Sequence, residues 1–222
     1  MRLRNKELSP VRVFREGGRL LQVSLSEDAV SMMVRYIELL RQWGKRTNLT
    51  SLTDPVEIAV RHFLDSMTAF KVLPVTFGLR ILDIGTGAGF PGMVMKIADQ
   101  SLHMTLLDKN PKKIVFLKHV ARELGLSGIQ FVNMDLQHFL TSERFQPAQV
   151  VIFRALAVEP AFMDSVRASL CSGGSLICML GPLNGLPDHV GRGFRRQEVW
   201  EGSLPFSDRY RRVHRYVLAP DL

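Results

Sequence analysis

Cysteine is scarce in this chain, and no stretch of it stays apolar for long. The only cysteines are Cys171 and Cys178, whose spacing fits neither a C-x-x-C metal site nor a disulfide framework. No window approaches the about 20 apolar residues of a membrane-spanning helix. The charged start lacks the apolar stretch of a secretory signal peptide. We therefore expect a cytoplasmic protein with reduced thiols, no bound metal and no membrane contact.

Acidic residues are outnumbered. The chain has 29 lysines and arginines against 21 aspartates and glutamates, a net charge of +8 and a pI near 9.9. Such a balance favours a polyanionic partner, and nucleic acid before membrane, although charge alone decides little. Three basic groups can line phosphates or form solvated faces: Arg2, Arg4, Lys6, Arg12 and Arg15; Lys109, Lys112 and Lys113; and Arg192, Arg195, Arg196, Arg209, Arg211, Arg212 and Arg215.

The first part of the chain, residues 1–75, carries helical patterns only. Residues 1–23 are polar and basic, which predicts a loosely held arm. Ser24 then stands three residues before Glu27, the spacing of a capping box, and apolar residues follow at helical intervals. Asp54 is suited to cap a second helix that opens with a proline. We predict an arm followed by a helical extension.

Residues 76–222 show a different pattern, in which short apolar runs alternate with helical ones. The runs are RILDIG, HMTLLD, IQFVN, AQVVIFRAL and SLICML, and helices are predicted between them at Pro91–Ala98, Pro111–Leu124 and Glu159–Leu170. This alternation predicts right-handed βαβ units on a parallel sheet. The segments RRQEVWEGSLP and YRRVHRYVLAP predict a final antiparallel hairpin. The predicted fold is α/β, a doubly wound sheet.

The segment ILDIGTGAGFPG fits two kinds of cofactor. The pattern Gly85-x-Gly87-x-Gly89, preceded by Asp83, is typical of a methyl-donor site. The pattern Gly87-x-Gly89-x-x-Gly92 fits the dinucleotide fingerprint. In a doubly wound sheet the ligand binds beyond the carboxyl ends of the strands, so the loop is well placed in either case.

Asp83 favours the methyl donor. A carboxylate at the end of this strand would repel a pyrophosphate in a poorly solvated site. It would instead attract the ammonium and sulfonium groups of S-adenosylmethionine. A helix cap or turn is the alternative role for Asp83. Asp108, at the end of the next strand, can accept hydrogen bonds from a ribose diol, which both cofactors carry.

Four stretches together resemble the RsmG (GidB) family: NLTSLTDPVEIAVRHFLDS, LDIGTGAGFPG, FLKHVARELGL and FRALA. They follow one another at the family's spacing between Trp43 and Gly181. The resemblance implies a Rossmann-like class I methyltransferase domain with S-adenosylmethionine as the methyl donor. It also implies methylation of N7 of a guanine in 16S ribosomal RNA. The partner would be that RNA or the small ribosomal subunit, and we expect a monomer.

The resemblance assigns cofactor contacts to matching positions. Gly85 and Phe90 match the family's contacts in the glycine loop. Leu136 and Gln137 match a pair, typically Ala-Glu, that lies against the adenosine. Because the glutamate is missing, Asp135 is the alternative acidic residue at that place.

Arg154 is the residue predicted to orient the target base and the cofactor. It matches the arginine of the family's Ser-Arg-Ala motif, here Phe153-Arg154-Ala155. Arginine commonly addresses the O6/N7 edge of guanine. Guanine N7 has a free lone pair and no proton to lose, so we expect no general base. A salt bridge to a nearby carboxylate is the alternative role.

Leu180 departs from the family pattern. The family commonly has Lys-Gly after the fifth strand, where this chain has Leu180-Gly181-Pro182. Lys96 and Lys109 are candidates to replace the lost ammonium. The departure leaves two alternatives open: a paralogue that methylates another substrate, and an RNA-binding protein without turnover.

Asn48, His62 and Asp65 match the family's N-terminal motif. Buried polar groups need partners. These residues therefore predict a polar network that joins the helical extension to the α/β domain.

Overall fold

A seven-stranded mixed sheet forms the centre of the fold. The computed structural model describes residues 8–47, 49–154, 159–180, 190 and 193–219. The strands are β1 (Arg80–Ile84), β2 (His103–Leu107), β3 (Ile129–Val132), β4 (Ala148–Arg154), β5 (Leu170–Leu180), β6 (Phe194–Ser203) and β7 (Tyr210–Leu218). Their order in the sheet is β3-β2-β1-β4-β5-β7-β6. Strands β1 to β5 are parallel, and β7 runs antiparallel to both β5 and β6.

This topology confirms the predicted doubly wound α/β class. Each of the five apolar runs forms a parallel strand, and β6 and β7 pair as the predicted hairpin, with Ser203 opposite Tyr210. The strand order reverses between β1 and β4, so the carboxyl ends of these two strands flank the switch point. Ligands of doubly wound sheets bind at that point.

Helices cover both faces of the sheet. They are α1 (Pro10–Leu20), α2 (Glu27–Thr47), α3 (Pro55–Ile58), α4 (Asp65–Met67), α5 (Gly92–Ala98), α6 (Pro111–Glu123), α7 (Leu136–Leu140) and α8 (Pro160–Ala168). A π-helix, Ala59–Leu64, joins α3 to α4, and a 3₁₀ helix, Thr68–Lys71, follows α4. None of the described helices is long and apolar enough to cross a bilayer.

Two apolar clusters pack against the two faces. The first contains Tyr36 from α2, Ile81 from β1 and Leu117 from α6, so the N-terminal helices share one core with the α/β part of the chain. The second contains Leu82 from β1 together with residues of α7 and α8, such as Phe139. Alternate residues of β1 therefore face different clusters, as expected for a parallel strand buried on both sides.

The predicted loose arm over residues 1–23 was wrong for the part that forms α1. Val13 and Phe14 are fully buried in the first cluster. The charges that suggested an arm lie elsewhere on the helix, where Arg12 Nε donates a hydrogen bond to Glu16 Oε1 at 2.7 Å. A short apolar stripe thus anchors a helix whose average composition is polar.

Local details at helix ends also differ from the predictions. Ser26, not Ser24, caps α2, since its Oγ accepts a hydrogen bond from the main-chain N–H of Ala29 at 3.1 Å. The helix predicted to reach Leu170 ends at Ala168, because Leu170 already belongs to β5. The predicted cap at Asp54 is confirmed by a 2.8 Å hydrogen bond from the N–H of Glu57.

The burial of Phe14 gives a test of α1 as part of the core. Phe14 is fully buried, and its ring centroid lies 5.2 Å from that of Phe63. We expect Phe14→Ala to lower the free energy of unfolding by about 3–5 kcal/mol, through lost burial and a cavity. Leu20→Ala in the same helix is the control, because Leu20 is 55% exposed. Urea unfolding measures both, and equal effects would show that α1 is not part of the core.

Candidate functional site: a cleft beside the glycine loop

The glycine loop joins β1 to α5 at the switch point of the sheet. Gly85, Gly87 and Gly89 have φ angles of 68°, 62° and 91°, in the left-handed region that favours glycine. At Gly89 space is also limiting, because a Cβ would collide with the hydroxyl of Tyr36 and lie 2.8 Å from both Leu117 Cδ2 and Met93 Cγ. The backbone of the loop is therefore packed tightly on its inner side.

Tyr36 supports the loop from the helical extension. It is fully buried, its hydroxyl donates a hydrogen bond to the carbonyl oxygen of Ala88, and its ring stacks on that of Phe90 with centroids 5.8 Å apart. Burial raises the pKa of Tyr36 well above its usual value, so the phenol remains a donor. The regular apolar spacing of α2 did not distinguish Tyr36 from an ordinary core residue.

Asp83 lies beneath the loop and is fully buried. Its Oδ2 accepts a hydrogen bond from the N–H of Gly92 at 2.8 Å, while its Oδ1 has no hydrogen-bond partner in the described part of the chain. Burial raises its pKa to about 6, against the opposing effects of the nearby Thr86 hydroxyl and of the Gly92 hydrogen bond. The hydrogen bond to Gly92 therefore corresponds to the alternative role of Asp83, that of a helix cap. Direct contact of Asp83 with a ligand remains a prediction.

Gly92 has a packing explanation. A Cβ at this position would lie 2.5 Å from Leu106 Cδ2 and 2.6 Å from Asp83 Oδ2. Only glycine therefore lets α5 approach the sheet this closely. The match of Gly92 to the dinucleotide fingerprint is accounted for without a dinucleotide.

A cleft of about 570 Å³ opens beside the loop, at the carboxyl ends of β1, β2 and β3. Five of the predicted cofactor residues line it: Gly85, Asp108, Asp135, Leu136 and Gln137. The other five are not among its lining residues: Asp83, Gly87, Gly89, Phe90 and Arg154. The loop and the starts of α6 and α7 therefore converge on one site.

Asp108 couples the cleft to the glycine loop. Its Oδ2 accepts a hydrogen bond from the N–H of Gly87 at 2.9 Å, and its Oδ1 accepts one from the N–H of Asn110 at 2.8 Å. The ammonium of Lys113 lies 3.4 Å from Oδ2. A carboxylate has about four lone-pair sites, so Asp108 keeps acceptor capacity for a ligand. Gly87 thus acts on the site through Asp108.

Asp135 sits at the start of α7, on the rim of the cleft. Its Oδ1 accepts a hydrogen bond from the N–H of His138 at 2.9 Å, and its Oδ2 lies 2.7 Å from His138 Nδ1. Both bonds lower the pKa of Asp135, and the main-chain bond has the larger effect. Leu136 is buried beside it and Gln137 is exposed. The rim therefore carries the negative charge of Asp135 close to Gln137, the position where the family has a glutamate.

Sequence reasoning missed the wall of the cleft that the start of α8 provides. Glu159, Ala161, Phe162 and Ser165 line this wall. The ring of Phe162 packs edge-on against that of Phe153, with centroids 5.4 Å apart. In the sequence, the one sign that the start of α8 lies near the cleft is its position directly after β4.

Arg154 faces the helical extension. Its Nη1 donates a hydrogen bond to Asp65 Oδ2 at 3.1 Å, and its guanidinium carbon lies 5.5 Å from the centroid of the Phe90 ring. Arg211 Nε donates to the other oxygen of Asp65 at 2.6 Å. The salt bridge considered as the alternative role for Arg154 is therefore present. The predicted network between extension and domain is confirmed at Asp65.

His62 belongs to the same region. Its Nε2 lies 2.9 Å from Thr50 Oγ1, and its ring stacks on Phe90 with centroids 4.7 Å apart. Burial, followed by the charge of Arg154, lowers the pKa of His62 to about 4. The imidazole is therefore neutral at pH 7.

Several residues of the sequence predictions lie outside the described residues: Asn48, Ala155, Gly181, Pro182, Arg2, Arg4, Lys6 and Arg192.

Lys96 does not replace the lysine that the family has at Leu180. Its ammonium is buried and donates hydrogen bonds to the carbonyl oxygens of Gln100, at 2.6 Å, and Leu102, at 2.7 Å, just before β2. That is the amino end of the strand, opposite the cleft. Lys109 does line the cleft. Leu180 is itself buried in the second apolar cluster.

The packing of Gly89 predicts a large effect for a single added methyl group. We expect Gly89→Ala to lower the free energy of unfolding by about 3 kcal/mol or more, because steric overlap adds to backbone strain. Gly125→Ala is the matched control, since Gly125 also has a positive φ, of 65°, but has no atom within 4 Å of its Cβ position. Urea unfolding of both variants measures the difference, and equal losses would mean that the loop can shift away from Tyr36.

The buried carboxyl of Asp83 predicts a pH dependence of stability. Its folded-state pKa of about 6 lies above the unfolded value near 3.8, so the folded protein holds this proton more tightly. This contribution to stability is present below pH 4 and lost as the pH rises through 6, by roughly 3 kcal/mol. We expect wild type to lose that amount relative to Asp83→Asn, which does not titrate. Urea unfolding between pH 4 and 7 tests this, and parallel curves would contradict it.

Comparison with known proteins agrees with the geometry. A family model described as rRNA small subunit methyltransferase G (GidB) matches residues 29–184. A ribosomal RNA small subunit methyltransferase G from Myxococcus xanthus is 35% identical over 202 residues, covering 89% of this chain and 92% of that protein. A protein of the same name from Chromohalobacter salexigens is 36% identical over 164 residues, covering 73% of this chain and 76% of that protein.

The fold alone is also similar to that of a putative methyltransferase, yhhF, from Escherichia coli. The TM-score is 0.55 at 16% identity, over 71% of this chain and 86% of that one. The family model spans more than half of this chain, from α2 to beyond β5. The chain therefore belongs to the GidB family, rRNA small subunit methyltransferase G, as its motifs predicted.

Proposed function

We propose that this protein transfers a methyl group from S-adenosylmethionine to N7 of a guanine in 16S ribosomal RNA. The observation that carries the proposal is the family match over residues 29–184, which includes both the glycine loop and the cleft. The relatives are named for the ribosomal RNA of the small subunit. The assignment of a guanine as the target, and of N7 as the atom methylated, rests on the resemblance of the motifs to the family.

The cleft suits an adenosine derivative. Leu107, Met134, Leu136 and Phe162 provide apolar walls, and Asp108 provides a carboxylate near the loop. Such a mixture of apolar walls and few polar groups is typical of small-molecule sites. Asp108 would accept hydrogen bonds from the ribose, and Gly85 would let the ligand approach the backbone. When bound, S-adenosylmethionine supplies an electrophilic methyl group on a sulfonium.

The protein's own part in the reaction is orientation and exclusion of water. Guanine N7 attacks with a free lone pair, so no residue needs to remove a proton, and the neutral His62 is not required as a base. Arg154 would donate a hydrogen bond to guanine O6. One of its N–H groups binds Asp65, and the guanidinium retains further donors for a base.

The wider assignments belong to the same proposal. The substrate is a ribosomal RNA, and we propose 16S RNA in the small subunit as its specific form. The net charge of +8 supports contact with RNA phosphates. We further propose that the protein acts as a monomer in the cytoplasm, with a helical extension over residues 1–75 and a methyltransferase domain over residues 76–222.

Leu180 supports a second candidate, a paralogue that methylates another substrate. Its side chain is buried among apolar residues of the second cluster, so it supplies no ammonium for a phosphate or a base. If this difference changes the substrate, the cofactor would still bind and 16S RNA would not be methylated.

Methyl transfer from labelled S-adenosylmethionine to 30S subunits that lack base modifications tests the proposal. Label on N7 of one 16S guanine is the expected result. Cofactor binding without any transfer to 30S subunits would favour the paralogue.

Arg154→Ala tests the orientation of the base in the same assay. With RNA saturating, we expect turnover to fall by about 100-fold, because one fixed donor at the reacting base is lost. Arg35→Ala is the control, since Arg35 is an exposed residue of α2 that pairs with Glu38 and Glu123. Full turnover of Arg154→Ala would remove Arg154 from the mechanism.

A further inference from the structure

One buried carboxylate joins three distant parts of the chain. Asp65, at the start of α4, is only 3% exposed. It accepts a hydrogen bond from Arg154 at the end of β4 and another from Arg211 near the start of β7. Each oxygen therefore holds a different guanidinium, and these arginines lie 89 and 146 residues further along the chain.

The carboxylate and the ring of Phe90 together define where the Arg154 guanidinium lies. The guanidinium stands over the ring, and a planar cation on an aromatic face is attracted to it but can still turn about the ring normal. The hydrogen bond to Asp65 removes that freedom, since it fixes the direction of one N–H group. Phe90 cannot move away easily, because His62 and Tyr36 stack against it.

This cluster adjoins the proposed reaction site. Arg154 ends β4, which pairs with β1 directly before the glycine loop, and Phe90 belongs to that loop. A salt bridge buried elsewhere in the core would be weak evidence of any role, because burying the charges costs much of what their attraction returns. Here the pair instead fixes the one cation proposed to meet the target base.

We propose that Asp65 is a positioning residue for methyl transfer, which holds the guanidinium of Arg154 over Phe90 while Arg211 occupies its other oxygen. The inference rests on the proposed function. Asp65 touches neither substrate nor cofactor in this assignment and acts through Arg154 alone. Moving the carboxylate should therefore change turnover even when the charge is kept.

Asp65→Glu tests position with charge retained, and Asp65→Asn tests charge with shape retained. We expect either change to lower kcat by about 10- to 100-fold at saturating RNA and cofactor, since small misplacements of an orienting group have effects of that size. Asp65→Glu keeps a partner for both guanidiniums, so it guards against loss of folding in Asp65→Asn.

Leu102→Ala is the control for stability. Leu102 is fully buried at the amino end of β2, away from the cluster. Its truncation lowers stability and should leave kcat within about threefold at a temperature where all variants are folded. Folded Asp65 variants with kcat equally close to that of wild type would overturn the inference.

A double-variant cycle with Arg154→Gln separates positioning from a general structural role. If Asp65 acts through Arg154, the kcat of the double variant should lie within about threefold of the kcat of Arg154→Gln alone. Effects that multiply in full would overturn the inference. The double variant also removes one of the two cations, Arg154 and Arg211, that Asp65→Asn alone leaves without a carboxylate partner.

If the proposed function fails, a second measurement still tests the role of Asp65. If wild type transfers no methyl group to 30S subunits, the cycle is measured on the dissociation constant of S-adenosylmethionine by calorimetry. The same loss of the Asp65 effect in the Arg154→Gln background is then expected. Independent effects on cofactor affinity would overturn the role of Asp65 in that case too.

Discussion

The glycine loop is held between two buried polar contacts, and the geometry of the site depends on both. Asp83 accepts the N–H of Gly92 from below, and Tyr36 donates to the carbonyl of Ala88 from the helical extension. Neither side chain lines the cleft. They fix the backbone instead, with Gly85 lining the cleft and the N–H of Gly87 donating a hydrogen bond to Asp108. A site preorganised in this way spends little binding energy on ordering the loop.

Phe90 joins the glycine loop to Tyr36, His62 and Arg154. Its ring contacts Tyr36 and His62 through stacking and carries the guanidinium of Arg154 on its face. Asp65, Arg154 and Phe90 are not among the residues that line the cleft. Phe90 therefore ties the position of the Arg154 guanidinium to that of the glycine loop.

Sequence patterns predicted those features that depend on neighbours along the chain. The parallel strands, the hairpin and the cap at Asp54 follow from local patterns, and the loop motif together with the family resemblance selected five residues that line the cleft. The role of α1 was missed because a charged helix with a short apolar stripe resembles a polar arm. Tyr36 and the wall at Phe162 depend on tertiary contacts that no local pattern records, and the same holds for the two cations on Asp65.

The span of the Asp65 cluster has a consequence for synthesis of the chain. The carboxylate is made before both cations: Arg154 follows 89 residues later, and Arg211 follows 146 residues later. Until then the helical extension lacks the cation of Arg211 and the strand β7 that carries it. Domains generally fold as units as the chain emerges, and contacts of such long range form slowly. The contacts of the helical extension are therefore complete only once β7 has left the ribosome, so the extension is fixed later than segments that are synthesised after it.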